Sequence, residues 1–161
     1  MRRLALGENL DLIGAGPGTA AAPVTLSRHA PGLAPQHEHT AAYACAVLAG
    51  GFLELSGGRE TWCATGYLVT HEAGERHANH IGPDGALCLN LHVDLPASAD
   101  PVRLAPDARG LADALAQQGL RGADPLTWDS LAAELEHRLG GWRTPPRDPA
   151  PVDAVVAALD A

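Results

Sequence analysis

The sequence predicts a mainly β protein, an antiparallel sandwich or barrel, followed by two or three C-terminal helices. Three observations carry this. Gly and Pro punctuate residues 1–106 roughly every ten positions, the spacing of an all-β domain. Short runs rich in Val, Thr, Tyr and Leu lie between them. After Pro106 the apolar residues move to four-residue spacing, the period of a helix.

Strands are expected over residues 24–28, 39–47, 52–56, 61–63, 67–70 and 87–95. Gly50-Gly51 and Gly57-Gly58 flank the third of these as turn signals, as in a meander of hairpins. Along 86–94 one face carries Ala86, Cys88, Asn90, His92 and Asp94, and the other Leu87, Leu89, Leu91 and Val93. The polar set faces either solvent, as on a half-buried strand, or a cavity, with the Leu set beneath helices. Residues 107–118 read as a helix with Leu111 and Leu115 on one face, stopped by Gly119. Asp124 and Pro125 read as N-cap and first-turn proline of a helix carrying Leu131, Leu135 and Leu139, ended by Gly140-Gly141. A Pro-rich joint follows, and then Val152, Val155, Val156 and Leu159 share one helical face. That last helix has little chain left to pack against, so it reads as an interface element pairing two copies, or as the stub of something longer. The division expected is a barrel over 1–106 and a helical extension over 107–161.

The chain has 161 residues, enough for one compact domain with a real core. Its formal net charge of -8 is the wrong sign for gripping nucleic acid or an anionic membrane surface. Cys45, Cys63 and Cys88 are odd in number and have no C-x-x-C spacing, which argues against a disulfide framework or zinc knuckle and for a reducing compartment. Arg2 and Arg3 resemble the start of a signal peptide, but Gly7, Glu8, Asn9 and Asp11 break any apolar region behind them. The longest uncharged apolar run, 41–53, is too short for a bilayer. A cytoplasmic protein is expected.

Histidine is the chemical lead. The chain has eight His and no Lys, and seven of the eight fall between His29 and His92. In Gln36-His37-Glu38-His39, two imidazoles two residues apart point to the same side of a strand and can share one metal ion. H-x-H alone is weak evidence, since exposed loop histidines give the same pattern. A second segment strengthens it: Gly66 opens a strand, Gly74 makes a turn, and His77 enters the next strand.

Together these two segments resemble the paired motifs of the cupin superfamily. Gly32, His37, His39 and Gly50 match the first, and Gly66, Gly74 and His77 the second. Three departures stand out, the first being that Asn79 arrives two positions early. Tyr43 or Ala44 occupies the place of the family's carboxylate ligand, and Glu72 replaces the motif proline. The resemblance implies a cupin-like antiparallel β-barrel, the double-stranded β-helix, around a three-histidine site for a divalent transition metal such as Zn, Ni or Fe. A narrower resemblance, through 47–54, Gly57-Gly58-Arg59, 71–79, Leu89-Asn90-Leu91, Trp128 and Leu131, is to the amino-terminal sensor cupin of AraC-type transcription regulators. Members of that family carry a helix-turn-helix pair afterwards; here nothing basic follows Arg147, so no DNA contact is assigned to any residue.

If the polar face of 86–94 points inward, His92 completes the metal set with His37, His39 and His77, and Asn90 joins the cavity. Tyr43 and Cys45 share the parity of His39, so an unbroken strand would bring both to the same cavity as ligand-binding residues. His71 is expected to pack structurally, His80 to sit on a loop near Gly82 and Gly85, and His29 and His137 to lie on the surface. Gly14 to Gly18 resembles a phosphate loop, but the β-type run after Pro23 leaves no helix to point at a phosphate. The function expected is the sensor domain of an AraC-type regulator, binding a small-molecule effector or a metal. The alternative is a free-standing metal-dependent enzyme, dioxygenase- or isomerase-like.

Overall fold

The computed structural model describes residues 1–5, 12–15, 24–91, 100–122 and 124–140. Its strands are β1 (Arg2–Leu4), β2 (Leu12–Ala15), β3 (Val24–His29), β4 (Gly32–His39), β5 (Tyr43–Ser56), β6 (Arg59–Ala64), β7 (Tyr67–His71), β8 (Arg76–Leu91) and β9 (Val102–Arg103), followed by helices α1 (Pro106–Arg121) and α2 (Pro125–Gly140). The fold is mainly β, with the two helices at its C-terminal end. All pairings are antiparallel except that of β1, which lies parallel on β4.

Two long strands organise the barrel. β5 and β8 pair from Ala44 opposite Leu91 to Ser56 opposite His77. The outer edge of β8 takes β4 along its first half and β3 along its second. The outer edge of β5 takes β7 at its start and β6 at its end. Each long strand therefore runs through both walls, and it bends where the register shifts, between Val47 and Ala49 and between Gly50 and Phe52. Gly50 sits there at φ 67°, and a Cβ on it would lie 1.9 Å from the Gly85 carbonyl oxygen. Only glycine permits that approach.

The shifts change which residues face inward. Tyr43, Cys45 and Val47 pack with Phe52, Cys63, Val69, Ile81, Ala86 and Cys88 in one buried cluster inside the barrel. Ala44, Ala46 and Leu48 join Leu89, Leu91, Val24, Leu26 and the helices in a second cluster on the outer face. The open question about 86–91 is thereby answered: Ala86, Cys88 and Asn90 face the cavity, and Leu89 and Leu91 lie beneath the helices. His92, the conditional fourth ligand, lies outside the described residues, as do the Pro-rich joint and the helix expected over 152–159.

The second helix starts for the expected reason. Asp124 Oδ1 accepts hydrogen bonds from the backbone N–H groups of Leu126 and Thr127 at 3.0 and 3.1 Å, capping α2. In α1, Pro106 stands in the first turn with Asp107 beside it. The stop expected at Gly119 is absent: α1 runs on to Arg121 and ends at Gly122 in the left-handed conformation. Gly119 instead lies against fully buried Trp128, whose Cζ3 would be 2.6 Å from an added Cβ. It is a packing glycine, not a terminator. Two further expectations change. The strand expected over 39–47 breaks between His39 and Tyr43, and His80 sits within β8 opposite Leu33 and Leu53 rather than on a loop. Residues 82–85 form a bulge in that strand. No helix among the described residues is long and apolar enough to cross a membrane.

Candidate metal centre

β4 delivers the histidine pair. A register shift between Ala34 and His37 ends its regular pairing, after which His37 lies opposite His77 of β8. His39, two residues on, falls on the same side. One nitrogen from each of the three rings lies within 4.8 Å of the other two, and the residues are 5%, 3% and 1% exposed in the order His37, His39, His77. Between the pair, Glu38 faces away. Its carboxylate accepts from Arg3 Nε at 2.6 Å and Arg76 Nε at 3.3 Å. The hydrogen bond from Arg3 is the main reason its carboxyl titrates below the ordinary range, and it takes no part in the cluster.

The donors suit a cation. His37 Nδ1–H donates to the Pro35 carbonyl at 2.9 Å, which leaves the Nε2 lone pair available. His77 Nε2 lies 3.1 Å from Tyr43 Oη, while its Nδ1 is buried with no hydrogen-bond partner among the described residues. A buried nitrogen left in that state is costly unless a ligand satisfies it. Burial lowers the pKa of both rings, that of His77 to about 2 with help from the neighbouring His71, His37 and His39. At neutral pH they are therefore uncharged, the form that binds metal. Three buried imidazoles around one cavity fit a divalent transition metal.

The expected ligand-binding residues line the same cavity. Tyr43 reaches it although the strand is broken, because β5 begins at Tyr43 itself and pairs it with His71. Cys45 and Cys88 follow at alternate positions, and Asn90 Nδ2 donates to Ser27 Oγ at 3.1 Å. Burial raises the Tyr43 phenol well above its ordinary value, so it stays protonated. The Cys45 thiol is also raised, chiefly by its hydrogen bond to Cys88 and then by burial. The cavity measures about 30 Å³. A water needs on the order of 10–15 Å³ of such space, so the room suits an ion with one or two small ligands. His29, expected on the surface, lines this cavity too, with its Nε2 3.0 Å from Ser27 Oγ.

A second cluster escaped the sequence reading. His71, expected only to pack, has Nε2 3.3 Å from Glu54 Oε2 and Nδ1 3.5 Å from Glu75 Oε1. Its ring stacks on His77 with centroids 4.4 Å apart. Burial by itself would lower its pKa, but the Glu54 and Glu75 carboxylates outweigh that and raise it to about 9. His71 in turn is the main reason Glu75 drops to about 2. A signal for Glu54 was present: it stands two residues after Phe52, on the face of the strand that an apolar residue marks as buried.

No family model matches this chain, and no curated protein does. Solved structures do. The EutQ protein of Clostridium difficile is 14% identical, over 44% of this chain and 54% of that one, with a TM-score of 0.40. A cupin-2 domain containing protein from Shewanella frigidimarina is 14% identical, over 45% of this chain and 71% of that one, at 0.41. The DMSP lyase DddQ from Ruegeria pomeroyi is 28% identical, over 53% of this chain and 43% of that one, at 0.39. The chain thus spans about half the length of the first of these.

Proposed function

We propose that this chain is a metal-sensing cupin module of the AraC regulator type, with His37, His39 and His77 as its ligands for Zn, Ni or Fe. The observation that carries the reading is the buried three-histidine cluster, its nitrogens within 4.8 Å of one another. A bound divalent ion would supply a Lewis-acidic centre there. Cavity size supports a sensor of an ion over a receptor for a bulky effector, since about 30 Å³ leaves no room for a sugar-sized molecule. The route to a response is short. Cys45 and Asn90 line the cavity, while their chain neighbours Ala44, Ala46, Leu89 and Leu91 touch the cluster that holds the helices. A shift of that one strand layer moves α1 and α2, and the proposed output is a change in homodimer pairing or in an adjoining DNA-binding part, with no nucleic acid bound by the chain itself.

Elemental analysis and Zn(II) titration of chelator-stripped protein, with hydrogen exchange across 106–140, test this. One tightly held equivalent that is lost in His37→Ala and His77→Ala, together with altered protection in the helices, is the expected outcome. No metal binding, or binding that leaves the helices unchanged, removes the sensor reading.

Tyr43 favours a second reading, a metal-dependent dioxygenase- or isomerase-like enzyme. Its hydroxyl stands 3.1 Å from His77 Nε2, where it could donate a hydrogen bond to a substrate oxygen. Held protonated by burial, it is a donor and not a general base.

A further inference from the structure

Outside the three-histidine set, Glu54, His71 and Glu75 offer one nitrogen and two carboxylate oxygens within 4.8 Å of one another. The contacts at 3.3 and 3.5 Å are longer than a charge-assisted hydrogen bond, which is about 2.7–2.9 Å. Two atoms at the centre lack a hydrogen-bond partner among the described residues although both are buried. They are Glu54 Oε2, on a residue 7% exposed, and His71 Nδ1, on a residue 3% exposed. Buried polar atoms held near one another yet unbonded mark a place for a ligand they all share.

We propose that Glu54, His71 and Glu75 form a second divalent-cation site, distinct from the three-histidine centre. It does not rest on the sensor reading. Its outer support is built: Glu75 Oε1 accepts from Ser56 Oγ at 2.7 Å, and Glu75 Oε2 accepts from the Glu72 backbone N–H at 3.2 Å. Such bonds fix a carboxylate ligand in place. An entry path exists as well, because Glu54 and Glu75 line an outer groove of about 370 Å³ while His71 lines the inner cavity. A cation arriving through the groove takes the place of the proton on the His71 nitrogen it binds, and that proton leaves to solvent. One imidazole with two carboxylates is a harder donor set than three imidazoles, which suits Mn(II), Fe(II) or Zn(II).

The test is Zn(II) stoichiometry after gel filtration of the full chain, compared with Glu54→Gln/Glu75→Gln and His37→Ala/His77→Ala, each checked for folding by circular dichroism. Two equivalents in the unaltered chain and one in each double variant are expected. If the glutamine variant keeps every equivalent of the unaltered chain, the second site is overturned and the three-histidine centre stands. A single equivalent lost with the glutamines but kept without His37 and His77 supports the second site and overturns the first. Should the double glutamine variant fail to fold, Glu75→Gln alone, at a half-buried position, replaces it with the same expected loss.

Discussion

Raising the pH of the metal-free protein from 6.5 to 9 should destabilise it progressively, and His71 sets the size of the effect. Its folded pKa is about 9, against an ordinary value of about 6.5. Burial opposes its charge. Glu54 on β5 and Glu75 in the turn before β8 favour it, and the uncharged Tyr43 and His77 rings flank it. A pKa raised in the folded state means that the native protein holds a proton the unfolded chain has released. The stabilisation is complete below pH 6.5 and is lost as the pH rises through 9. A difference of roughly 2.5 units at about 1.4 kcal/mol each gives a loss on the order of 3 kcal/mol. Urea unfolding with chelator present, at half-unit intervals of pH, measures it. A slope of about 1 kcal/mol per unit is expected between pH 7 and 7.5, before thiols of ordinary pKa about 8.5 ionise appreciably in the unfolded chain. His71→Gln should flatten that slope. A wild-type curve level to within about 0.5 kcal/mol, or an equal slope in the variant, would refute the account of a proton held between two carboxylates.

Other outcomes follow from packing and protonation. Gly119→Ala places a methyl against Trp128, so thermal melting should show about 1–2 kcal/mol of destabilisation although alanine is the better helix former. The three thiols are buried and all free, so Ellman's reagent should find none in the native protein and three after denaturation; fast labelling of any native thiol contradicts the burial. Because His37 and His77 titrate below the ordinary range, Zn(II) affinity at the three-histidine centre should fall less than about tenfold between pH 7.5 and 5.5. Two ordinary imidazoles would cost about a hundredfold, and a drop of that size in equilibrium dialysis counts against neutral, buried ligands.

Much of this was legible before the fold. Gly and Pro spacing located most strands, four-residue apolar spacing located both described helices, and the Asp124 cap stood out because capping depends on adjacent residues. The candidate histidine pair was legible for the same reason: His37 and His39 share a face at a separation the strand itself dictates. Glu54 and His71 were missed. Parity read from Tyr43 and Cys45 puts odd residues inside, and Glu54 comes in only because the register shift between Val47 and Ala49 exchanges the faces of β5 on the way. Gly119 misled for a related reason. A helix-stopping glycine and a packing glycine look alike until the indole that needs the space is placed, and Trp128 is nine residues away on another helix.

The crossing of Gly50 and Gly85 has a consequence for assembly. Sliding β5 along β8 by one residue would send Tyr43 and Cys45 under the helices and push Ala44 and Ala46 into the cavity. A slipped alignment would also bring a side chain to a crossing where the carbonyl oxygen of Gly85 leaves room only for hydrogen. The two glycines thus act as a proofreading mark between strands. A chain that pairs wrongly meets a collision there.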